Sequence, residues 1–345
     1  MGSIKRLVWA RVKRLALLLA CLASAAAAPA ADALDIHAHR GGTLSYGKPV
    51  RFENSLSAFR SAPFRRADVV ELDVHVSKDG VPFVMHDGTL ERTTDCTGPV
   101  ADHTAAELDK CHIVILGTND VFKRVPASTE RVPRLAAVLR WAKPRGVRLN
   151  VEINHYPNEP SFDPTDRFVT AELDTIDASG IPKKQILLQS FLPDNLTPAK
   201  QRGYRTALIT FAGAQGQAIA LAQQGGFEVL EPQWPVQDAA AFVKRAHEAG
   251  KRVVPFTLDK PADVVAARAA GVDGIITDDP PLAVSALRCD DADRVLRAAL
   301  KRYKAAQAAL KHAKKPMDKK RARARVKAEG KKLAKAKRAR AKACA

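Results

Sequence analysis

A repeated alternation limits most strongly what this chain can fold into. Eight short runs rich in β-branched and apolar residues recur between 34 and 278: LDIHAH, VVELDVHV, VRLNVEI, QILLQSF, YRTALITF, FEVLEP, RVVPFTL and VDGIITD. Between most of them lie stretches with helical spacing of apolar residues, among them RLAAVLRWAK, FVTAELDTIDASG, QGQAIALAQQGG, DAAAFVKRAHEAG and ADVVAARAAG. Several close on glycine, which takes the left-handed conformation of a helix end without strain. Parallel strands require a crossover between them, so this repeat commits the chain to an α/β architecture. Eight repeats over about 250 residues predict a TIM-type (β/α)8 barrel at 34–289, with a doubly wound open sheet as the alternative. Residues 87–133 break the rhythm and contain Cys96 and Cys111; we read them as a small insertion after an early strand.

Charge sets the two ends apart from this body. Of the formal charge of +19, residues 1–31 carry +5 and 290–345 carry +16, leaving 32–289 near −2. The front end has the layout of an export signal: Lys5, Arg6, Arg11, Lys13 and Arg14 precede the apolar LALLLACLASAAAA, with cleavage expected after Ala28, Ala30 or Ala33. That run is shorter than the roughly 20 residues of a membrane span. A lipid anchor on Cys21 is disfavoured, because only 15–20 precede it as an apolar segment. The expected location is therefore secreted or periplasmic. Four cysteines remain beyond Cys21, and in an oxidising compartment Cys96–Cys111 is the expected disulfide, with Cys289 and Cys344 left open. Residues 290–345 read as a basic tail, helical or disordered. Leu296, Leu300, Tyr303 and Leu310 fall at helical spacing, and beyond Pro316 the chain is almost entirely Lys, Arg and Ala. The last thirty residues are expected to be solvated and flexible, or to bind anionic envelope polymers or lipid without specificity. Without interleaved aromatics, specific nucleic-acid recognition is not expected.

In a barrel of this kind chemistry sits where strands end. Three strands there carry polar pairs at i and i+2, on one face about 6–7 Å apart: His37/His39, Glu71/Asp73 and Glu152/Asn154. VPFVMHD delivers His86 and Asp87 at the end of another apolar run. Acids and histidines facing a barrel interior are costly unless paired or bound to metal. Glu71, Asp73 and Glu152, with no cysteine nearby, suit a hard divalent cation, Mg²⁺ or Ca²⁺, bound through oxygen. His39 and His86 suit general acid–base work near neutral pH. Arg40 offers a fork of donors for a phosphate, and the following glycines allow close approach of backbone to an anion. Together these suggest metal-assisted cleavage of a phosphate ester.

HRGG, FENSLSAF, VVELDVHVSKDGVPFVMHDGTLERTT, LNVEIN, LQSF and GVDGIITDDP, in this order over about 35 to 285, resemble the glycerophosphodiester phosphodiesterase family. The resemblance implies a TIM barrel with a small insertion and hydrolysis of glycerophosphodiesters to sn-glycerol 3-phosphate and an alcohol. It implies His39 and His86 as the acid–base pair, Arg40 as a phosphate contact, and Glu71, Asp73 and Glu152 as metal ligands. Three departures stand out. The family's usual PEN is FEN, with Glu53 expected to order the loop beside the metal. Its usual VEIK is VEIN, placing Asn154 where a lysine would face the phosphate. Its WTV is FTL, placing Phe256 where an indole often lines the cleft. His37 and His75 take no family role, although His75 shares the strand face of Glu71 and Asp73. His103, His112, His155 and His247 are expected at the surface or in loops. The alternatives are a sphingomyelinase D-like or lysophospholipase D phosphodiesterase, and a noncatalytic binder of anionic polymers acting through its tail.

Overall fold

A computed structural model describes residues 34–345 apart from 119, 120, 160, 161 and 164; the leader at 1–31 and Cys21 lie outside the described residues. Eight strands form the body: β1 (Asp35–Ala38), β2 (Val69–Val76), β3 (Arg148–Ile153), β4 (Ile186–Ser190), β5 (Arg205–Thr210), β6 (Val229–Pro232), β7 (Arg252–Val253) and β8 (Gly274–Thr277). Each pairs in parallel with its chain neighbour from β1 to β7, and β8 pairs with β1. The remaining seam is closed by the Asp273 amide donating to the Val253 carbonyl (2.9 Å) and the Ile276 amide donating to the Pro255 carbonyl (2.9 Å). The expected barrel is present, and the open sheet is excluded.

Around it run α1 (Leu56–Ser61), α2 (Leu135–Ala142), α3 (Arg167–Ser179), α4 (Pro193–Gln201), α5 (Gln215–Gly225), α6 (Ala239–Glu248), α7 (Pro261–Ala270), α8 (Pro280–His312) and α9 (Pro316–Ala343). The strand alternation explains the layering. On β2, Val70, Leu72 and Val74 point outward and pack with Leu149, Val151, Leu135, Leu139, Leu173 and Ile176 in the largest core. The intervening Glu71 and Asp73 then face the lumen. A second apolar cluster of Leu187, Ala207, Val229, Val254 and Ile276 lies beside Phe256 in the barrel interior. Polar side chains are thereby concentrated toward the strand C-termini.

The irregular stretch after β2 is an ordered excursion. Pro82–Val84 returns antiparallel against β2, a hairpin forms from Ile115–Thr118 and Val121–Arg124, and Phe83, Leu90, Val100, Leu108, Ile113 and Val132 build a satellite core. Cys96 and Cys111 are bonded across it as expected.

The C-terminal region is helical, one of the two states expected of the tail. α8 is one continuous helix of 33 residues that passes through position 290, and α9 is a helix of 28 residues folded back along it. Ala is the best helix former, so a Lys/Arg/Ala sequence propagates a helix once one face finds a partner. That face exists here. Ala299, Leu333 and Ala336 are buried beside Leu296 and Tyr303, Gly330 lies against the Tyr303 ring, and Cys289 is bonded to Cys344.

Candidate active site

Strand register assembles the acidic centre. Asp73 on β2 is the direct partner of Glu152 on β3, and Glu152 in turn pairs with Gln189 on β4. Neighbouring parallel strands lie about 4.8 Å apart, so these lumen-facing side chains meet. Carboxylate oxygens of Glu71, Asp73 and Glu152 come within 4.8 Å of one another, a group able to hold a metal ion. Gln189 Nε2 donates to Glu71 Oε1 (2.9 Å) and Glu152 Oε2 (3.2 Å), Tyr156 Oη to Glu152 Oε1 (2.9 Å), and Asn54 Nδ2 to Asp73 Oδ2 (2.7 Å). Burial and the neighbouring Asp73 charge push Glu71 up to about 8 and Glu152 up to about 7. Three crowded acids with only oxygen donors fit a hard divalent cation, which would relieve their repulsion.

Arg40 sits above this centre on the turn that follows β1. Its backbone is left-handed (φ 49°) and its amide donates to Glu71 Oε2 at 2.6 Å, tying the turn to the acidic centre. Gly41 is also left-handed, and a Cβ there would meet the Ala58 Cβ at 2.7 Å. Its glycine therefore answers to packing against α1. Arg40 is buried; Nη1 donates to Glu53 Oε1 at 3.1 Å and Nε lies 3.6 Å from Asp73 Oδ2. Glu53 is also gripped by both Arg92 Nη atoms (2.7 and 2.8 Å), and Arg92 continues to Asp87 (2.5 and 2.9 Å). The expected ordering role of Glu53 thus has a concrete form: it is the carboxylate between two guanidiniums.

Each histidine of the expected pair is held at Nδ1 by an acid. His39 Nδ1 lies 2.8 Å from Asp278 Oδ1, and His86 Nδ1 lies 2.6 Å from Asp87 Oδ1. Burial opposes the charge on His39, but the Asp278 carboxylate and its hydrogen bond outweigh it and push His39 up to about 9. Asp278 is held below the usual carboxylate range by the same pair.

His39, Arg40, Glu71, Asp73, His86, Glu152 and Phe256 all line one cavity of about 720 Å³. Asn154 does not line it; its Nδ2 donates instead to the His86 carbonyl at 2.6 Å. In this structure Asn154, expected where a phosphate contact would lie, supports the His86 backbone. His75 Nε2 bonds the same carbonyl (2.9 Å), and burial holds this ring down at about 4. His37 lies beside Asn150 inside the barrel, where burial holds it at about 3. His155 lies in a loop as expected but is buried there: Nε2 bonds the Asp163 carbonyl at 2.7 Å, and the ring stacks on Phe162 at 4.8 Å. His103, His112 and His247 occupy loop or outer positions, with His247 paired to Asp273. Sequence reasoning left out Asp278, Arg92, Gln189 and the wall of Phe191, Phe211 and Trp234. Asp278 stands in the quoted GIITDDP at a strand end, the same signal that marked Glu71; its partner lies 239 positions away.

The cavity's chemistry follows from these charges. A buried guanidinium is able to draw an anion, two acid-paired imidazoles are able to exchange protons, and three carboxylates are able to hold a cation. This defines a barrel hydrolase of phosphate esters. Residues 39–282 match the model of the glycerophosphoryl diester phosphodiesterase family, and the chain belongs to that family. Over 268 residues it is 28% identical to the glycerophosphodiester phosphodiesterase of Caldanaerobacter subterraneus subsp. tengcongensis, covering 73% of this chain and 96% of that one. The fold is similar to a glycerophosphodiester phosphodiesterase from Agrobacterium tumefaciens (TM-score 0.56, 24% identity, 72% of this chain and 98% of that one). It is also similar to an Oleispira antarctica phosphodiesterase in complex with the product sn-glycerol-3-phosphate (TM-score 0.58, 22% identity, 73% and 96%).

Proposed function

We propose that the protein hydrolyses glycerophosphodiesters to sn-glycerol 3-phosphate and an alcohol, in a divalent-metal-dependent reaction with His39 and His86 as the acid–base pair. The observation that carries this reading is the convergence of both acid-paired histidines, Arg40 and the three carboxylates on one cavity. Glu71, Asp73 and Glu152 would hold Mg²⁺ or Ca²⁺, which when bound supplies Lewis-acid polarisation of the phosphate oxygens. Arg40, fixed by Glu53, presents positive charge beside the carboxylates and orients the phosphodiester. His39, with Nδ1 engaged by Asp278, is protonated at neutral pH and donates from Nε2 to the departing alkoxide. His86, with Nδ1 engaged by Asp87, accepts the proton of the attacking oxygen at Nε2. Asn154 and His75 hold the His86 main chain in place.

A pH consequence follows for Asp278→Asn. A donor held at about 9 stays protonated through neutrality, and activity should fall only as pH rises past that value. Removing the carboxylate returns His39 to a value at or below the ordinary 6.5, since burial and the Arg40 charge then outweigh the smaller effect of Glu71. The alkaline limb of kcat/KM is expected to move down by about two units or more. An alkaline limb unmoved in the folded variant would remove His39 from the donor role.

One observation bears on the alcohol. Phe191 and Phe211 stack at 4.2 Å, Phe256 meets Phe191 edge-on at 6.1 Å, and Trp234 completes an aromatic wall of the cavity. This wall favours the second reading, a phosphodiesterase acting on lipids with an apolar tail. Choline release separates the two: glycerophosphocholine as the better substrate supports the leading reading, and sphingomyelin or lysophosphatidylcholine as the better substrate supports the second.

A further inference from the structure

We propose that the α8–α9 hairpin is a cationic arm that docks the protein on an anionic phospholipid surface, leaving the catalytic mouth open. α9 (Pro316–Ala343) carries thirteen lysines and arginines against two acids, and every one of those cations is exposed. Its apolar residues are already used: Leu333 and Ala336 are buried against Ala299, Leu296 and Tyr303 of α8. Ion pairs consume few charges, chiefly Arg340 with Asp293 (2.9 Å) and Lys332 with Glu329 (2.8 Å). The Cys289–Cys344 disulfide fastens the far end of α9 to the base of α8. The result is a stiff rod whose outer surface is a dense cation field.

The direction of the rod follows from the barrel. Helices that follow parallel strands run back antiparallel to them, so α7 and α8 both descend from the catalytic mouth. Arg268, near the end of α7, donates to the Leu287 carbonyl (3.1 Å) and pairs with Asp291 (2.5 Å). Residues 287–291 therefore lie level with the strand N-termini, and α8 continues for about 30 Å beyond them at ~1.5 Å per residue. The arm thus extends from the face opposite the mouth. It is placed to tether the molecule, and not to grip a substrate in the cavity.

Charge complementarity selects an anionic partner, and the side chains select among polyanions. α9 contains no aromatic to stack on bases and no Asn or Gln to pair with adenine, while Tyr303 of α8 is packed inside the hairpin. The disulfide that fastens the arm persists in oxidising compartments, where lipid headgroups present dense anionic surfaces. With the apolar stripe facing inward, contact is by adsorption at the headgroup level and is reversed by salt.

The test is co-sedimentation of the full chain with phosphatidylglycerol or phosphatidylcholine vesicles, at low and high salt. It is repeated on a variant carrying Lys319→Gln, Arg323→Gln, Lys327→Gln and Lys331→Gln along one exposed stripe. Binding to phosphatidylglycerol alone, lost at high salt, is expected. The variant should partition at least about 100-fold more weakly, with unchanged helicity and melting temperature. Equal binding to both vesicles, binding insensitive to salt or to the four changes, or tighter binding to duplex DNA at equal phosphate would overturn the proposal.

Discussion

Alanine in place of His39 or His86 is expected to lower kcat by roughly 10²- to 10⁴-fold, with a near-native circular dichroism spectrum. Both rings line the same cavity, and each has Nδ1 committed to a carboxylate, which leaves Nε2 as the atom that can exchange a proton with substrate. The two losses should differ in their side effects. Asp278 is 6% exposed, so His39→Ala strands a buried carboxylate and should also lower the melting temperature. The Asp87 side chain is 24% exposed and keeps its bonds to Arg92, so His86→Ala should cost little stability. Since a destabilised variant loses activity for two reasons, rates are to be compared at a temperature where both remain folded. Substantial turnover by either folded variant would remove that histidine from the reaction.

Stripping divalent metal with EDTA is expected to reduce turnover on the order of 10³-fold or more, restored by Mg²⁺ or Ca²⁺. The acidic centre also predicts a readout that does not depend on catalysis. Burial and the Asp73 charge hold Glu71 at about 8 and Glu152 at about 7, so both bind protons near neutrality in the metal-free protein. Cation binding requires their carboxylate forms, and so should release protons at pH 7 and weaken as pH falls below it. Saturating cation should raise the melting temperature of the wild-type chain, by about 2.7 kcal/mol of stability at a hundredfold excess over Kd. The Glu71→Gln and Glu152→Gln variants should lose most of this gain. A cation-induced shift retained in both would place the metal elsewhere.

The barrel was legible because its signal is local: apolar runs and helical spacing recur within about 30 residues, and each repeat needs a crossover. Glu71, Asp73 and Glu152 were legible for a related reason, being acids on strand runs that otherwise bury Val, Leu and Ile. The network around them was less so. The Asp278–His39 pair and the Arg92–Glu53–Arg40 chain join residues from different loops, and only the closed barrel brings them together. Asn154 shows the limit of reading a role from a position. Its amide is spent on the His86 carbonyl, a contact that its place at the end of β3 does not reveal. The burial of His155 was not legible, because it comes from its own loop folding back so that Phe162 stacks on the ring. The pairing of the tail's two helices was not legible because exposed cations dominate its composition. Its structure rests on a sparse stripe of Leu333, Ala336 and Gly330, whose partners on α8 lie some thirty residues earlier.

The central claim is that this cavity cleaves a glycerophosphodiester at the alcohol side of the phosphate. The measurement that tests it most directly is product analysis by ³¹P NMR, with glycerophosphocholine, glycerophosphoethanolamine and glycerophosphoinositol as substrates, before and after EDTA. We predict sn-glycerol 3-phosphate as the phosphorus-containing product, formed only with divalent metal present and absent with His39→Ala or His86→Ala. Phosphocholine in place of glycerol 3-phosphate, or no turnover of any of the three by the folded, metal-loaded protein, would contradict the account.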